Sequence, residues 1–147
     1  MTSKISRPVS DYLLMILVLF QGLSGIGGGI GLLLDPTGAS MNIPLRWLEG
    51  SPFQTYLIPG VVLFTVLGLF PLACFVGLLK RSRMAWFGAL LLAVALIIWI
   101  LVEILVIGYQ TQPPLQAVYG AVGALMLLLV LLPSVKQFYA HEQQDQQ

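Results

Sequence analysis

The chain has one cysteine, Cys74, and one histidine, His141, in 147 residues. A lone cysteine makes no internal disulfide. It also cannot supply the C-x-x-C pair that quinone-linked thiol oxidation requires. Cys74 sits inside an apolar run and reads as a small packing residue. One histidine, in a polar tail, rules out haem held by two histidines of the chain and histidine-based zinc proteolysis. It rules out a Ser–His nucleophile pair by the same shortage. No metal and no cofactor is expected. Charge is equally scarce: 9% of the residues are charged, against ~25% in a soluble domain. Such a chain cannot cover itself in water. Its net charge of +1 offers no surface for nucleic acid, and the basic residues read as topology signals.

What the sequence has instead is apolar length. Four runs, at residues 12–34, 58–79, 84–107 and 115–132, stand out. Each has roughly the 17–25 residues that cross a bilayer core. The expected fold is all-α: an integral membrane four-helix bundle forming a single membrane domain over 1–147. A loop at 35–57 would lie outside and a polar tail at 136–147 inside. Six of the seven basic residues (Lys4, Arg7, Lys80, Arg81, Arg83 and Lys136) fall on one side of these runs, with only Arg46 opposite. The positive-inside rule makes that side cytoplasmic, so both termini are expected in the cytoplasm of a cell with its inner membrane spanned four times. Trp86, Phe138 and Tyr139 read as aromatic anchors at the inner interface, and Trp47, Tyr56 and Tyr109 at the outer one. Residues 2–10 read as mobile, with Pro8 blocking an early helix start, and the tail HEQQDQQ (141–147) as frayed.

The stretch QGLSGIGGGIG, residues 21–31, needs its own account. Phosphate loops need fixed glycine spacings such as G-x-G-x-x-G, and Ile30 stands where the third glycine would fall. A linker would be polar. The remaining reading is a close-packed transmembrane helix face. Gly25 with Gly29, Gly27 with Gly31, and Ser24 with Gly28 are small-xxx-small pairs that let backbones approach. Gly22 would face away. A signal peptide is the rival: Lys4 and Arg7 as its charged start, residues 12–20 as its apolar core, and cleavage before Gly25.

The long loop opens with DPTG (35–38), a turn signal. Residues 42–50 then read as a short interfacial helix. Asn42 would cap it, Pro44 would sit in its first turn and Gly50 would end it. Leu45, Trp47 and Leu48 would dip into the interface. SPFQ (51–54) has the pattern of a capping box starting a further helix, with a kink at Pro59 and Gly60 leading into the second span.

One acidic residue lies within a run. Glu103, in WILVEILVIG (99–108), would cost ~2.5 kcal/mol or more at the bilayer centre, and such residues point to function. It lies roughly 6 Å below the outer end of its helix at ~1.5 Å per residue, so the cost is smaller. Trp99 precedes it on the same face. By depth its expected partners are Gln116 and Tyr119 from span four, Thr65 from span two and Arg46 from the loop. Gln21 from span one points inward but lies deeper. Together they would form an outward-facing polar pocket, or else a hydrogen-bonded lock between helices.

The motifs LLLDPTG (32–38), SPFQTYLIPG (51–60) and WILVEILVIGY (99–109) resemble those of a widespread set of short, uncharacterised bacterial four-helix membrane proteins. More distantly the chain is similar to DoxX-like membrane proteins. That likeness implies a place near quinone-linked respiratory or oxidative-stress complexes and carries over no functional residue. Three classes follow. The first is a non-catalytic membrane protein: an accessory subunit, or a binder of a small lipid or quinone, partnered by the bilayer and by a hydrophobic small molecule or a membrane protein. The second is a small proton-coupled transporter using Glu103. It resembles the small multidrug exporters in size, but those carry the glutamate in span one. An enzyme with Glu103 as a lone acid or base is the poorest of the three.

Overall fold

The structure, a computed structural model, describes residues 5–144, with side chains through 141. The described residues are helical or in turns, with no strand among them. Helix α1 runs Val9–Leu34. Span two, Leu57–Leu79, is composite: α2 (Leu57–Phe64), a π-helical turn (Thr65–Leu69) and α3 (Phe70–Leu79). Then come α4 (Arg83–Ile107), α5 (Leu115–Leu131) and α6 (Pro133–Gln144). Three helical stretches, Val9–Leu34, Leu57–Leu79 and Arg83–Ile107, are long and apolar enough to cross a membrane. A fourth qualifies only if α5 and α6, bent 56° from each other, count as one.

The π turn has a local cause. Pro71 has no N–H, so the carbonyl of Leu67 lacks its α-helical donor. The helix widens over the preceding turn, a common response to such a defect. Helix α1 packs against this widened region through glycines. A Cβ on Gly25 would lie 2.0 Å from the Leu67 carbonyl oxygen, and one on Gly29 2.6 Å from the Phe64 Cα. The approach is mutual, since a Cβ on Gly68 would meet the Ile26 nitrogen at 2.9 Å.

The packing face differs from the expected stripe. Gly25 and Gly29 are on it, but so is Gly22, whose Cβ would meet Leu72 at 2.7 Å. Gly27 is exposed and has nothing within 4 Å of its added Cβ, so it belongs to the outward surface. Gly28 touches only the tip of Leu63, and Gly31 faces Met41 of the long loop. Ser24 is half-buried and donates to the carbonyl of Gln21 in its own helix. The reason is periodic: with ~3.6 residues per turn, a run of adjacent small residues cannot share one face.

Helix α4 turns Ala85, Gly88, Ala89 and Ala93 inward. Cys74 lies opposite, where a Cβ on Gly88 would come within 2.8 Å of its sulfur. Trp86 is half-buried and its Nε1 donates to the Val130 carbonyl at 3.0 Å, tying α4 to α5.

The C-terminal region is helix where a polar tail was expected. Helix α6 folds back so that Val135, Phe138 and Tyr139 are buried in the main core. Phe138 and Tyr139 are therefore core residues and not interface anchors. Residues 145–147 lie outside the described residues. Residues 5–10, expected to be mobile, are tied down by Arg7, and the helix starts at Val9 directly after Pro8.

The long loop is ordered, but not as a helix over 42–50. It holds two 3-10 turns, Ala39–Met41 and Leu45–Leu48. Asn42 does not cap the second; it ends the first in the left-handed region at φ 56°. Leu48 is buried with Leu32 and Tyr56, while Leu45 is exposed. The SPFQ capping box does not form. Ser51 Oγ instead accepts from the Phe53 N–H at 3.2 Å in a local turn, and the helix begins at Leu57. Pro59 and Gly60 lie in its first turns without a break. The irregularity comes later, at the π turn, because Pro59 occupies a helix start where its missing N–H is not needed.

Candidate functional site

Glu103 sits on α4 at the end of the bundle that carries the long loop. Its Oε1 accepts a 2.8 Å hydrogen bond from Trp99 Nε1, one turn earlier on the same helix. Tyr56 of the loop lies close by. Its phenol is raised above the ordinary value, by burial first and by the Glu103 charge second. Tyr56 is itself fixed: its OH donates to the Pro44 carbonyl at 2.9 Å and its N–H to the Pro36 carbonyl at 2.8 Å.

Of the residues expected around Glu103, the structure joins only Trp99 to it by a hydrogen bond. Gln116 is buried but serves the α4–α5 connection. Its Oε1 accepts from the Gln110 N–H at 2.8 Å and its Nε2 donates to the Gly108 carbonyl at 3.2 Å. Tyr119 stacks on Phe20 with ring centroids 6.0 Å apart. Thr65 is exposed and donates to the Val61 carbonyl one turn back. Arg46 is exposed on the loop surface. Gln21 is fully buried and donates through Nε2 to the Leu67 carbonyl at 3.2 Å, the carbonyl that Pro71 leaves without a donor; its Oε1 has no partner. Gln21, Thr65 and Gln116 thus spend their hydrogen bonds on backbone groups, not on Glu103.

Beside this region lies an apolar groove of about 250 Å³ between span two and α4, lined by Val62, Val66, Leu67, Ala95, Ile98, Trp99 and Val102. It opens sideways, beside the π turn. Trp99 both lines the groove and holds Glu103, which follows Val102 directly at the loop-side end.

A second polar cluster occupies the opposite, basic end. Asp11 is completely buried. It is ion-paired with Arg7 and accepts from Tyr139 Oη at 2.9 and 3.1 Å. Arg7 also donates to the Leu78 carbonyl at 3.0 Å and to Met15 Sδ at 2.8 Å. Phe138 lies between two guanidinium groups, Arg7 at 5.2 Å and Arg81 at 5.3 Å from its ring centre. The sequence did offer a signal: Arg7 and Asp11 are four apart, and Val135, Phe138 and Tyr139 have the i, i+3, i+4 spacing of a buried helix face. Reading residues 136–147 as tail hid it.

Among the described residues, no group of three or more His, Cys, Asp or Glu side chains could hold a metal ion. No protein family, curated protein or solved structure matches this chain.

Proposed function

We propose that this is a non-catalytic, multi-pass inner-membrane protein with both termini cytoplasmic, which binds a small amphiphile of the lipid or quinone type, alone or as an accessory subunit. One observation carries the reading: Trp99, which lines the apolar groove beside the π turn, also donates its Nε1–H to Glu103. An apolar groove whose lining tryptophan is bonded to a carboxyl suits an amphiphile with its chain in the groove and its headgroup towards Glu103. Ligand sites are commonly apolar with few polar groups, and π turns recur at functional sites. The motif likeness to DoxX-like proteins would put such a binder near quinone-linked complexes. Proton-coupled transport through Glu103 is less well supported, because Leu14, Met15 and Val18 form a buried apolar layer between Asp11 and Gln21.

The test is mass spectrometry of lipids and quinones that co-purify with the protein, compared with the bulk membrane. One amphiphile class should be enriched with the native chain. It should be lost from Ala95→Trp, which fills the groove, while the variant stays folded. A co-purifying profile identical to bulk membrane in both proteins would remove the binding reading.

A further inference from the structure

We propose that α6 is a hinged cap over the basic end of the bundle, latched by Tyr139 on Asp11 and by Phe138 between Arg7 and Arg81, and able to swing open while the spans stay packed. The hinge is visible in the chain. Leu132 leaves the helical region (φ −58°, ψ 135°) and Pro133 begins the new helix. The two helices meet at 56°.

The buried face of α6 is short, and the latch is only part of it. Val135, Phe138 and Tyr139 are the buried residues of the described part of α6, while Lys136, Gln137, Ala140 and His141 are exposed. The packing of α1 on span two lies elsewhere, at Gly25, Gly29, Leu67 and Phe64, and uses no residue of α6. Opening therefore withdraws Val135, Phe138 and Tyr139 from the core where α6 meets α1, α4 and α5, and leaves the packing of α1 on span two intact. What it uncovers is specific: the fully buried Asp11 carboxylate, bonded by the Tyr139 hydroxyl, and the Arg7 guanidinium, which faces the Phe138 ring at 5.2 Å. Val135, Phe138 and Tyr139 are each at most 1% exposed, so opening is a rare local excursion whose frequency the latch sets. The hydroxyl of Tyr139 is the natural catch, since a bond to a carboxylate is stronger than a neutral one.

The experiment places a cysteine at Val135, on the buried face of α6 but outside the latch, and keeps native Cys74 in span two as an internal reference. Membranes are treated with a permeant maleimide and both sites are followed by mass spectrometry. Cys74 is buried, so its labelling reports opening of the bundle itself. The Val135→Cys site should label at least about tenfold faster than Cys74. Adding Tyr139→Phe should raise its rate by a further factor of about ten without changing that of Cys74. Equal rates at the two sites in the protein with its latch intact would overturn the proposal, whether or not the Tyr139→Phe variant folds. So would a Tyr139→Phe variant in which both sites speed up together, or neither does.

Discussion

Gln21 and Pro71 are fifty residues apart in sequence and solve one problem between them. Pro71 removes the donor for the Leu67 carbonyl, and the Gln21 amide replaces it. Replacing Gln21 by Leu would orphan that carbonyl but would also remove an unpaired Oε1, so the single variant alone is a poor measure. The informative quantity is the coupling. In a cycle with Pro71→Ala, Gln21→Leu should cost about 1 kcal/mol more when proline is present than when alanine restores the N–H, a size typical of polar contacts between membrane helices. Zero coupling in thermal or denaturant unfolding would show that the two are unrelated. Glu103→Gln separates a helix lock from a ligand contact. Gln keeps an acceptor for Trp99, so unfolding should change by no more than about 0.5 kcal/mol, while the enriched amphiphile is lost. Retention of that amphiphile by a folded Gln variant would make Glu103 a lock only. In the loop, Asp35 accepts from the Thr37 hydroxyl and from the Ser40 N–H. These bonds, the Thr37 one first, hold its carboxyl below the ordinary 3.8. A depressed folded-state value means the anchor contributes fully above pH 3.8 and is lost as the pH falls through the lower folded value. Hydrogen exchange at the Ser40 amide should therefore speed up in acid below pH 3.8, beyond the intrinsic trend, and Asp35→Asn should abolish that step.

At the scale of elements, glycines at neighbouring positions have opposite roles. The Cβ of a residue at 25 would collide with a backbone oxygen 2.0 Å away, which no side-chain rotation can relieve. At 27 there is open space. Gly25→Leu should therefore abolish the folded state in detergent, read as loss of a monodisperse chromatographic peak. Gly27→Leu should stay within about 0.5 kcal/mol of the parent, as surface changes do. Equal behaviour of the two would contradict this packing. The contrast also marks how far the sequence could be read. The all-helical class and the three long apolar helices were legible because apolar length is a strong signal and Lys80 to Arg83 and the prolines at 113 and 114 interrupt it; α6 was not, because its mixed composition reads as tail. Which glycine faces inward was not, because six small residues in eight leave the phase of the face undefined; Gly22, with leucine beside it, was put on the wrong side. The π turn escaped although Pro71 lies in the sequence: a proline inside an apolar run signals a missing N–H, but not whether the helix kinks or widens in response. The loop helix failed because Asn42 was taken by the preceding turn in a left-handed conformation. The polar site was ranked by depth, a single coordinate, which could not show that Gln116 and Thr65 bond to backbone groups and that Tyr119 stacks on Phe20. Asp11 was missed for the opposite reason: a boundary residue by depth becomes a buried one once α6 folds over it.

Taken as one molecule, the bundle is covered at both ends by its own chain. At one end Leu48 and Tyr56 of the long loop pack on Leu32. At the other, α6 covers Asp11. The groove between span two and α4 opens to the side, so its occupant would arrive from surrounding lipid and not along the bundle axis, which fits an amphiphile better than a water-soluble substrate. The two ends also differ in charge. Among the described residues, Arg7, Lys80, Arg81, Arg83 and Lys136 gather around the α6 end, and Arg46 is the one Lys or Arg of the loop end. Basic residues in short loops hold their side of a bilayer in the cytoplasm, so the α6 end should be inside and the long loop outside. Single cysteines at Ala39 and at Gln137, in a Cys74→Ala background, test this without altering any charge, and both positions are exposed. In intact cells an impermeant maleimide should label the Ala39 site and leave the Gln137 site unmodified. After permeabilisation both should react, which controls for accessibility. Labelling of the Gln137 site alone in intact cells would reverse the orientation. Labelling of both there would indicate two orientations and remove the role assigned to the basic residues.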